Sequence, residues 1–311
     1  MLFVITLGIV LFFMSVYRTP AVALMPDITI KPLRSKGNAI INLLGAVGGV
    51  VSLIGLTLLD PVKLGYSPIF MLISGMMFVG LVVMILTVKE PQWTKQMLED
   101  TSRYHVVEIK ENPHTQKLPR TVKRSLLFLL ISVALWFMGY NAIMSAFSRY
   151  ATIQIGLTGA QSSTILLVAN LGAIVSFIPI GIFSSKFGRK VTIQLGVALL
   201  TFIFFTTFFY QQFSPLMYIN FLLAGLAWAA INVNSLPMIL EMSDSKNIGK
   251  YTGLYFTFAM LAQIITPILS GILFDYLGYK ILFPYATFFA FLAFITMSQV
   301  KHGDSLPTSK E

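Results

Sequence analysis

The 311-residue chain has no cysteine, which excludes disulfide staples and thiolate metal sites. Charge is scarce as well. Asp, Glu, Lys and Arg make up 11% of the residues, where a soluble domain carries roughly 25% because its surface must face water. Of the three histidines, His105 and His114 lie in one polar segment and His302 near the C-terminus, too dispersed for a buried metal centre. No nucleophile–base pair and no phosphate-cradling glycine loop stands out, so neither an enzyme nor a cofactor is expected.

What is present is apolar length. Hydrophobic residues account for 56% of the chain and the mean hydropathy is +0.80. Runs without charge recur at 38–59, 67–88, 125–147, 162–184, 191–210, 214–240, 251–274 and 281–300, and residues 1–25 form a ninth interrupted only by Arg18. Each is long enough to cross a bilayer, which takes about 20 residues. In hydrocarbon the backbone must satisfy its own hydrogen bonds, so runs of this length are helices; barrel strands are shorter and alternate. Residues 1–16 lack the basic n-region and the A-x-A site of a signal peptide, and the run continues through Pro20.

The net charge of +10 is not spread as a basic stripe interleaved with aromatics, so nucleic acid is not the expected partner. The cations gather in alternate loops. Lys31, Arg34 and Lys36 share one, eight lie between Lys89 and Arg124, and Lys186, Arg189 and Lys190 fill a third; Lys246 and Lys250, then Lys301 and Lys310, follow. The opposite loops hold only Lys63, Arg149 and Lys280. This positive-inside pattern predicts a multi-pass protein of the cell membrane with a cytoplasmic C-terminus and Met1 outside.

The chain also repeats. A shift of 214 residues lays span 38–59 on 252–273 and span 67–88 on 281–302. It also carries Asp27 to Glu241, Lys36 to Lys250 and Arg18 to Asn232. Repeats of this kind are common in transporter folds. Applied to 125–210, the shift points before residue 1, and Met1 opens directly inside an apolar run. The expectation is a twelve-helix parent with its first three helices missing; a complete nine-helix protein is the alternative. Four regions follow: 1–88, a partial N-terminal bundle; 89–124, a polar cytoplasmic connector; 125–300, a six-helix bundle; and 301–311, a cytoplasmic tail. The connector carries Pro91, Pro113 and Pro119, is too short for a core of its own, and has room for a short amphipathic helix near 92–103.

Two motifs carry a family resemblance. Gly181-Ile-Phe-Ser-Ser-Lys-Phe-Gly-Arg-Lys190 resembles the signature loop G-x-x-x-D-R/K-x-G-R-R/K of the major facilitator superfamily, placed where that family repeats it. Ser185 stands where the family has an acid that helps lock the cytoplasmic gate. Pro20-Ala-Val-Ala-Leu-Met-Pro-Asp27, followed by Asn38-Ala39 and by Ala46-Val47-Gly48, is similar to the fourth-to-fifth helix region of sucrose-type transporters in the glycoside–pentoside–hexuronide branch. Phe137-Met-Gly-Tyr-Asn-Ala142 looks like bacterial members of that branch. The resemblance implies an all-α polytopic membrane protein, a bundle whose nine transmembrane helices correspond to helices 4–12 of a twelve-helix fold. It implies secondary active transport of a sugar or glycoside with a proton or sodium as coupling ion. A drug or metabolite exporter and a non-transporting membrane scaffold remain as alternatives. No Asp or Glu lies mid-span, and the family often keeps its coupling carboxylate in the first helix, so coupled transport by this chain alone is not expected.

Arg18 is the sharpest single residue. It precedes Asp27 by nine positions, about 13 Å along a helix, near mid-bilayer, where an ionisable group usually faces a cavity or a partner. Tyr140, Asn141, Asn170, Trp228, Asn232 and Gln263 are the other candidates for a solute site, since amides, hydroxyls and an aromatic face suit a sugar. Each could equally serve a neighbouring helix by hydrogen bonding or packing. The resemblance assigns gating contacts to Asp27, Arg34, Gly181, Lys186, Gly188, Arg189 and Glu241: Glu241 would pair with Arg189, and Asp27 with a basic loop upstream of Met1. Gly45, Ala46, Gly48, Gly49, Gly253, Ala259 and Ala262 are read as sites of close helix packing.

Overall fold

The structure, a computed structural model, describes residues 2–59, 65, 67–103, 119–243 and 247–304. The basic positions Lys63, Lys110, Lys117, Lys246 and Lys310, and both His105 and His114, lie outside the described residues. Every long described element is helical: α1 (Leu2–Ile28), α2 (Arg34–Leu58), α3 (Ser67–Thr87), α4 (Glu90–Arg103), α5 (Arg120–Tyr150), α6 (Gly159–Phe187), α7 (Arg189–Thr207), α8 (Leu216–Glu241), α9 (Ile248–Leu277) and α10 (Leu282–Ser298). Among the described residues, eight spans are long and apolar enough to cross a membrane. The 25-residue α2 is a further helix of comparable length.

The helices overrun the apolar runs that nucleate them. The run 125–147 lies inside a 31-residue helix that begins at Arg120, and the run at 38 is preceded by a turn of α2 carrying Arg34 and Lys36. A helix need not stop where hydrocarbon stops, because its hydrogen bonds are internal. Local signals set the ends. Thr158 and Gln161 form a reciprocal capping box at the start of α6, the Thr158 amide donating to Gln161 Oε1 at 2.9 Å. Gly188, at φ +94°, breaks α6 from α7 in a conformation open to glycine and costly for other residues. The short α4 begins with Glu90 and ends with Arg103, charges that suit its dipole, and it packs against α1.

Helices α5 to α10 pack on one another through five main pairs: α6 with α8, α5 with α10, α7 with α8, α7 with α10, and α5 with α9. In lipid the apolar effect does not drive such pairing, since tails are as apolar as leucine, so close backbone approach must do it. Glycines mark three of the five pairs. A Cβ at Gly139 of α5 would sit 2.9 Å from the Ala286 carbonyl of α10, and one at Gly196 of α7 would sit 2.8 Å from the Ala227 carbonyl of α8. Between α6 and α8 the approach is closer still: a Cβ at Gly225 would run into the Ala169 carbonyl, and one at Gly172 into that of Leu222. Leu129, Val133, Trp136, Ile193, Val197 and Met217 are fully buried in the core behind these contacts.

Helix α2 lies against α6 and α8, helix α1 against α9, and the main partner of α3 is α2. The small-residue reading of the sequence is corrected in part here. Ala259 and Ala262 are buried, but a Cβ added at Gly45, Gly49 or Gly253 would meet no atom within 4 Å among the described residues. The close packing falls instead at Gly139, Gly172, Gly196 and Gly225, one in each of α5 to α8.

Candidate gate and solute site

The 3-10 turn Lys31–Leu33 delivers α2 to the basic end of the bundle with Arg34 at its first position. Arg34 is 5% exposed. It folds back on α1, donating from Nη2 to the Pro26 carbonyl at 3.1 Å and from Nε to that of Thr29 at 3.3 Å. The end of α1 at Ile28 leaves those carbonyls without regular helical donors, which is why a side chain is needed there. The same guanidinium reaches Glu241, the last residue of α8, with Nη1 3.7 Å from Oε1.

Arg189 approaches Glu241 from the start of α7, Nη1 to Oε1 at 2.9 Å. It also ties into the opposite helices, donating from Nε to Ser35 Oγ at 2.8 Å and from Nη2 to the Lys31 carbonyl at 2.5 Å. Its backbone amide donates to Asp304 Oδ1 at 2.6 Å, so a tail carboxylate caps α7 at its positive end. Three charged side chains are therefore buried together, with Glu241 flanked by two cations. Neither contact to Glu241 Oε1 is a hydrogen bond, and the one from Arg34, at 3.7 Å, is too long to be one. Coulomb attraction in a desolvated pocket holds the cluster.

Above the cluster the interface turns apolar and tight. Gly181 of α6 faces α2, where a Cβ would sit 2.9 Å from that of Ala39 and 3.4 Å from the Cα of Lys36. Ala39, Ala173, Phe177, Ala229 and Val233 form a small buried cluster joining α2, α6 and α8. Asn38 spans the same interface, its Nδ2 donating to the Val233 carbonyl at 2.7 Å and to that of Asn232 at 3.1 Å.

The aromatic part of the site lies between α5 and α8. Tyr140 and Trp228 stack in parallel, 3.7 Å between centroids at an interplanar angle of 4°, and Phe137 meets Trp228 edge-on at 5.2 Å. Asn141, next along α5, has a buried Nδ2 without a hydrogen-bond partner among the described residues, and in α8 the Oδ1 of the fully buried Asn234 is in the same position. Buried polar atoms of this kind are uncommon in native packing and need an explanation.

The candidate residues thus separate into groups. Arg34, Gly181, Arg189 and Glu241 meet in one cluster, and Gly188 forms the turn that aims Arg189. Lys186 is exposed on the last turn of α6. Asp27 is half-buried within electrostatic reach of Glu90 and Arg34. Ser185, where the family's acid is expected, donates to its own helix at the Gly181 carbonyl, 2.8 Å away. Tyr140 and Trp228 come together. Arg18 reaches a different helix, its guanidinium carbon 4.7 Å from the centroid of Phe256 on α9, in cation–π geometry. Asn170 and Gln263 are exposed, the first donating to the Leu166 carbonyl, and Asn232 enters the interface through its backbone. Sequence reading did not single out Ser35, Asn38 as a cross-helix donor, Phe256 or Asp304. Asp304 had a signal, as one of two acids in a tail otherwise marked by its cations. Ser35 and Phe256 had none.

Long apolar helices packed as a bundle, with a buried ion cluster at one end and a stacked aromatic pair in the interior, define a polytopic helical membrane protein. The family model described as Major Facilitator Superfamily matches residues 1–199 and 129–310, and the chain belongs to that superfamily. It is 30% identical over 166 residues to an uncharacterized MFS-type transporter, C18.02, of Schizosaccharomyces pombe, a match covering 50% of this chain and 37% of that protein. The chain thus aligns with little more than a third of that relative's length. Its fold is similar to the crystal structure of FucP, a superfamily transporter, in the outward conformation. The TM-score is 0.58 at 11% identity, over 86% of this chain and 69% of FucP.

Proposed function

We propose that the protein takes part in secondary active transport of a small solute by alternating access. In this reading its basic end faces the cytoplasm and the buried ion cluster there holds that end shut. The observation that carries the reading is the buried Arg34–Glu241–Arg189 cluster, which joins α2 to the ends of α7 and α8. In this reading α1–α3 correspond to helices 4–6 and α5–α10 to helices 7–12 of a twelve-helix fold, with 89–124 as the connector. A closed basic end is also what an outward-facing state requires, and FucP was captured in the outward conformation.

The solute is a sugar or glycoside, moved together with a proton. The Tyr140–Trp228–Phe137 wall supplies apolar faces for the C–H side of a pyranose, and Asn141 and Asn234 hold unbonded amide atoms that suit hydroxyl groups. The motifs at 20–49 and 137–142 favour the same solute class. No Asp or Glu stands at mid-depth in the described helices, so the coupling carboxylate is not one of their residues.

The chain has three tryptophans, Trp93, Trp136 and Trp228. Titrating the chain in lipid nanodiscs with a panel of glycosides is expected to quench fluorescence in the parent. Trp228→Ala should abolish the quench, and Tyr140→Ala should weaken binding by about tenfold, the scale of one lost aromatic contact. A panel in which no glycoside binds, or binding that is indifferent to both substitutions, removes the sugar reading. Proton coupling is checked separately, by whether solute flux in vesicles responds to an imposed pH gradient.

A further inference from the structure

Helix α8 contains Pro237. Proline has no amide N–H, so the carbonyl four residues earlier, that of Val233, loses the donor an unbroken helix would supply, and the ring crowds it as well. Val233 is fully buried, out of reach of water. A carbonyl left bare in that setting is costly.

The donor comes from another helix. Asn38 of α2 is 6% exposed and places Nδ2 2.7 Å from the Val233 carbonyl and 3.1 Å from that of Asn232. Both hydrogens of the amide are used. The opposite orientation of the amide would set Oδ1 against two carbonyl oxygens, so the group has one workable placement. Asn38 is itself held by α2, since the Asn42 side chain donates to the Asn38 carbonyl at 2.8 Å.

We infer that Asn38 is a positioning residue that replaces, across the interface, the hydrogen bond Pro237 deletes from α8, so that the proline break in α8 is satisfied only while α2 is docked. The inference rests on the alternating-access reading, in which α2 and α8 part when the basic end opens. The ionic cluster at the ends of α7 and α8 closes that end by charge, whereas Asn38 closes it through the backbone of the helix that carries Trp228. Breaking the contact exposes an orphan carbonyl beside a proline, and α8 then bends or takes up water there. Closure of the end and the shape of α8 near the aromatic wall are thereby one event.

The test is a double-mutant cycle with a distance readout. The chain lacks cysteine, so spin labels enter only at two introduced positions, Lys36→Cys on α2 and Lys250→Cys on α9, both exposed. Double electron–electron resonance then measures the ratio of open to closed populations at the basic end. Asn38→Leu, which keeps volume and loses the donor, is expected to raise that ratio about tenfold in the Pro237 protein. In the Pro237→Ala protein, whose restored N–H can serve Val233, the same change should move it less than about twofold. Should the leucine variant fail to assemble, Asn38→Ala, which also removes the donor and adds no charge, carries the same comparison. Equal shifts in the two backgrounds overturn the inference, because a role in packing alone does not depend on Pro237; the transport reading then stands. A single unchanging distance in every variant, with Glu241→Gln included as a control, overturns both.

Discussion

Replacing Glu241 with Gln is expected to open the basic end of the bundle, moving the closed-to-open balance by about 3–5 kcal/mol, the usual cost of removing one partner from a buried ion cluster. The reason is the charge count of the pocket. Arg34 and Arg189 both point at Glu241 Oε1, at 3.7 and 2.9 Å, and both are almost wholly buried. Without the carboxylate the Arg34 and Arg189 guanidinium groups lose the anion that bridges them in a low-dielectric site. The least costly response is to let water in, and that means separating α2 from α8. Spin-label distances across the end should lengthen, and the cooperative melting temperature should fall. Adding Arg34→Met to Glu241→Gln should recover part of the loss, because one of the two buried cations beside the site is gone. A Glu241→Gln protein that keeps the parent distance distribution and melting temperature contradicts the role given to the cluster.

Gly225→Ala is expected to destabilise the folded bundle by about 3 kcal/mol, at the upper end of what overpacking costs. At this position the added methyl meets the Ala169 carbonyl and the Ala173 amide, backbone atoms of α6 that have no rotamer to yield with. Helices α6 and α8 would have to move apart along a contact where α6 also supplies Gly172. The effect is readable as a lowered melting temperature in detergent. Gly45→Ala on α2 is the matched control, since its methyl would meet no described atom within 4 Å, and a helical glycine-to-alanine change is ordinarily favourable by about 0.5–1 kcal/mol. If the two variants melt alike, close approach at Gly225 is not what holds α6 to α8.

Much of the architecture was legible because lipid imposes a strict rule on backbone hydrogen bonds. Each uncharged run of bilayer length had to be a helix, and the helices appear where the runs are. Their ends were less legible. Arg120, Lys123 and Arg124 extend α5 beyond its apolar run, because helical hydrogen bonding does not depend on what the side chains face. The pairing of Arg189 with Glu241 was anticipated from the signature loop and the helix-end acid, and the structure brings those residues together. The third member was not anticipated as such: Arg34 was read as a gate residue without its partner, and Asp27 was assigned to a partner elsewhere.

The solute candidates show the same limit from another side. Tyr140 and Trp228 stand out for their chemistry, and only packing shows them stacked, because the facing of α5 and α8 depends on how each is docked on α10, α6 and α7, as at Gly139, Gly196 and Gly225. Arg18 was picked for its depth, yet its contact with Phe256 depends on how α1 lies against α9. Asn170 and Gln263, equally polar by sequence, are exposed.

By itself the sequence determined that this is a many-helix membrane protein, which end of the bundle collects the cations, and which loop carries the family's signature. Those properties follow from length, hydropathy and charge position, quantities that add along the chain. The tertiary structure decided which charges neutralise one another, which glycines are close contacts, and that Asn38 serves a carbonyl nearly two hundred residues away. These are matters of angle and distance between helices, and no linear pattern holds them.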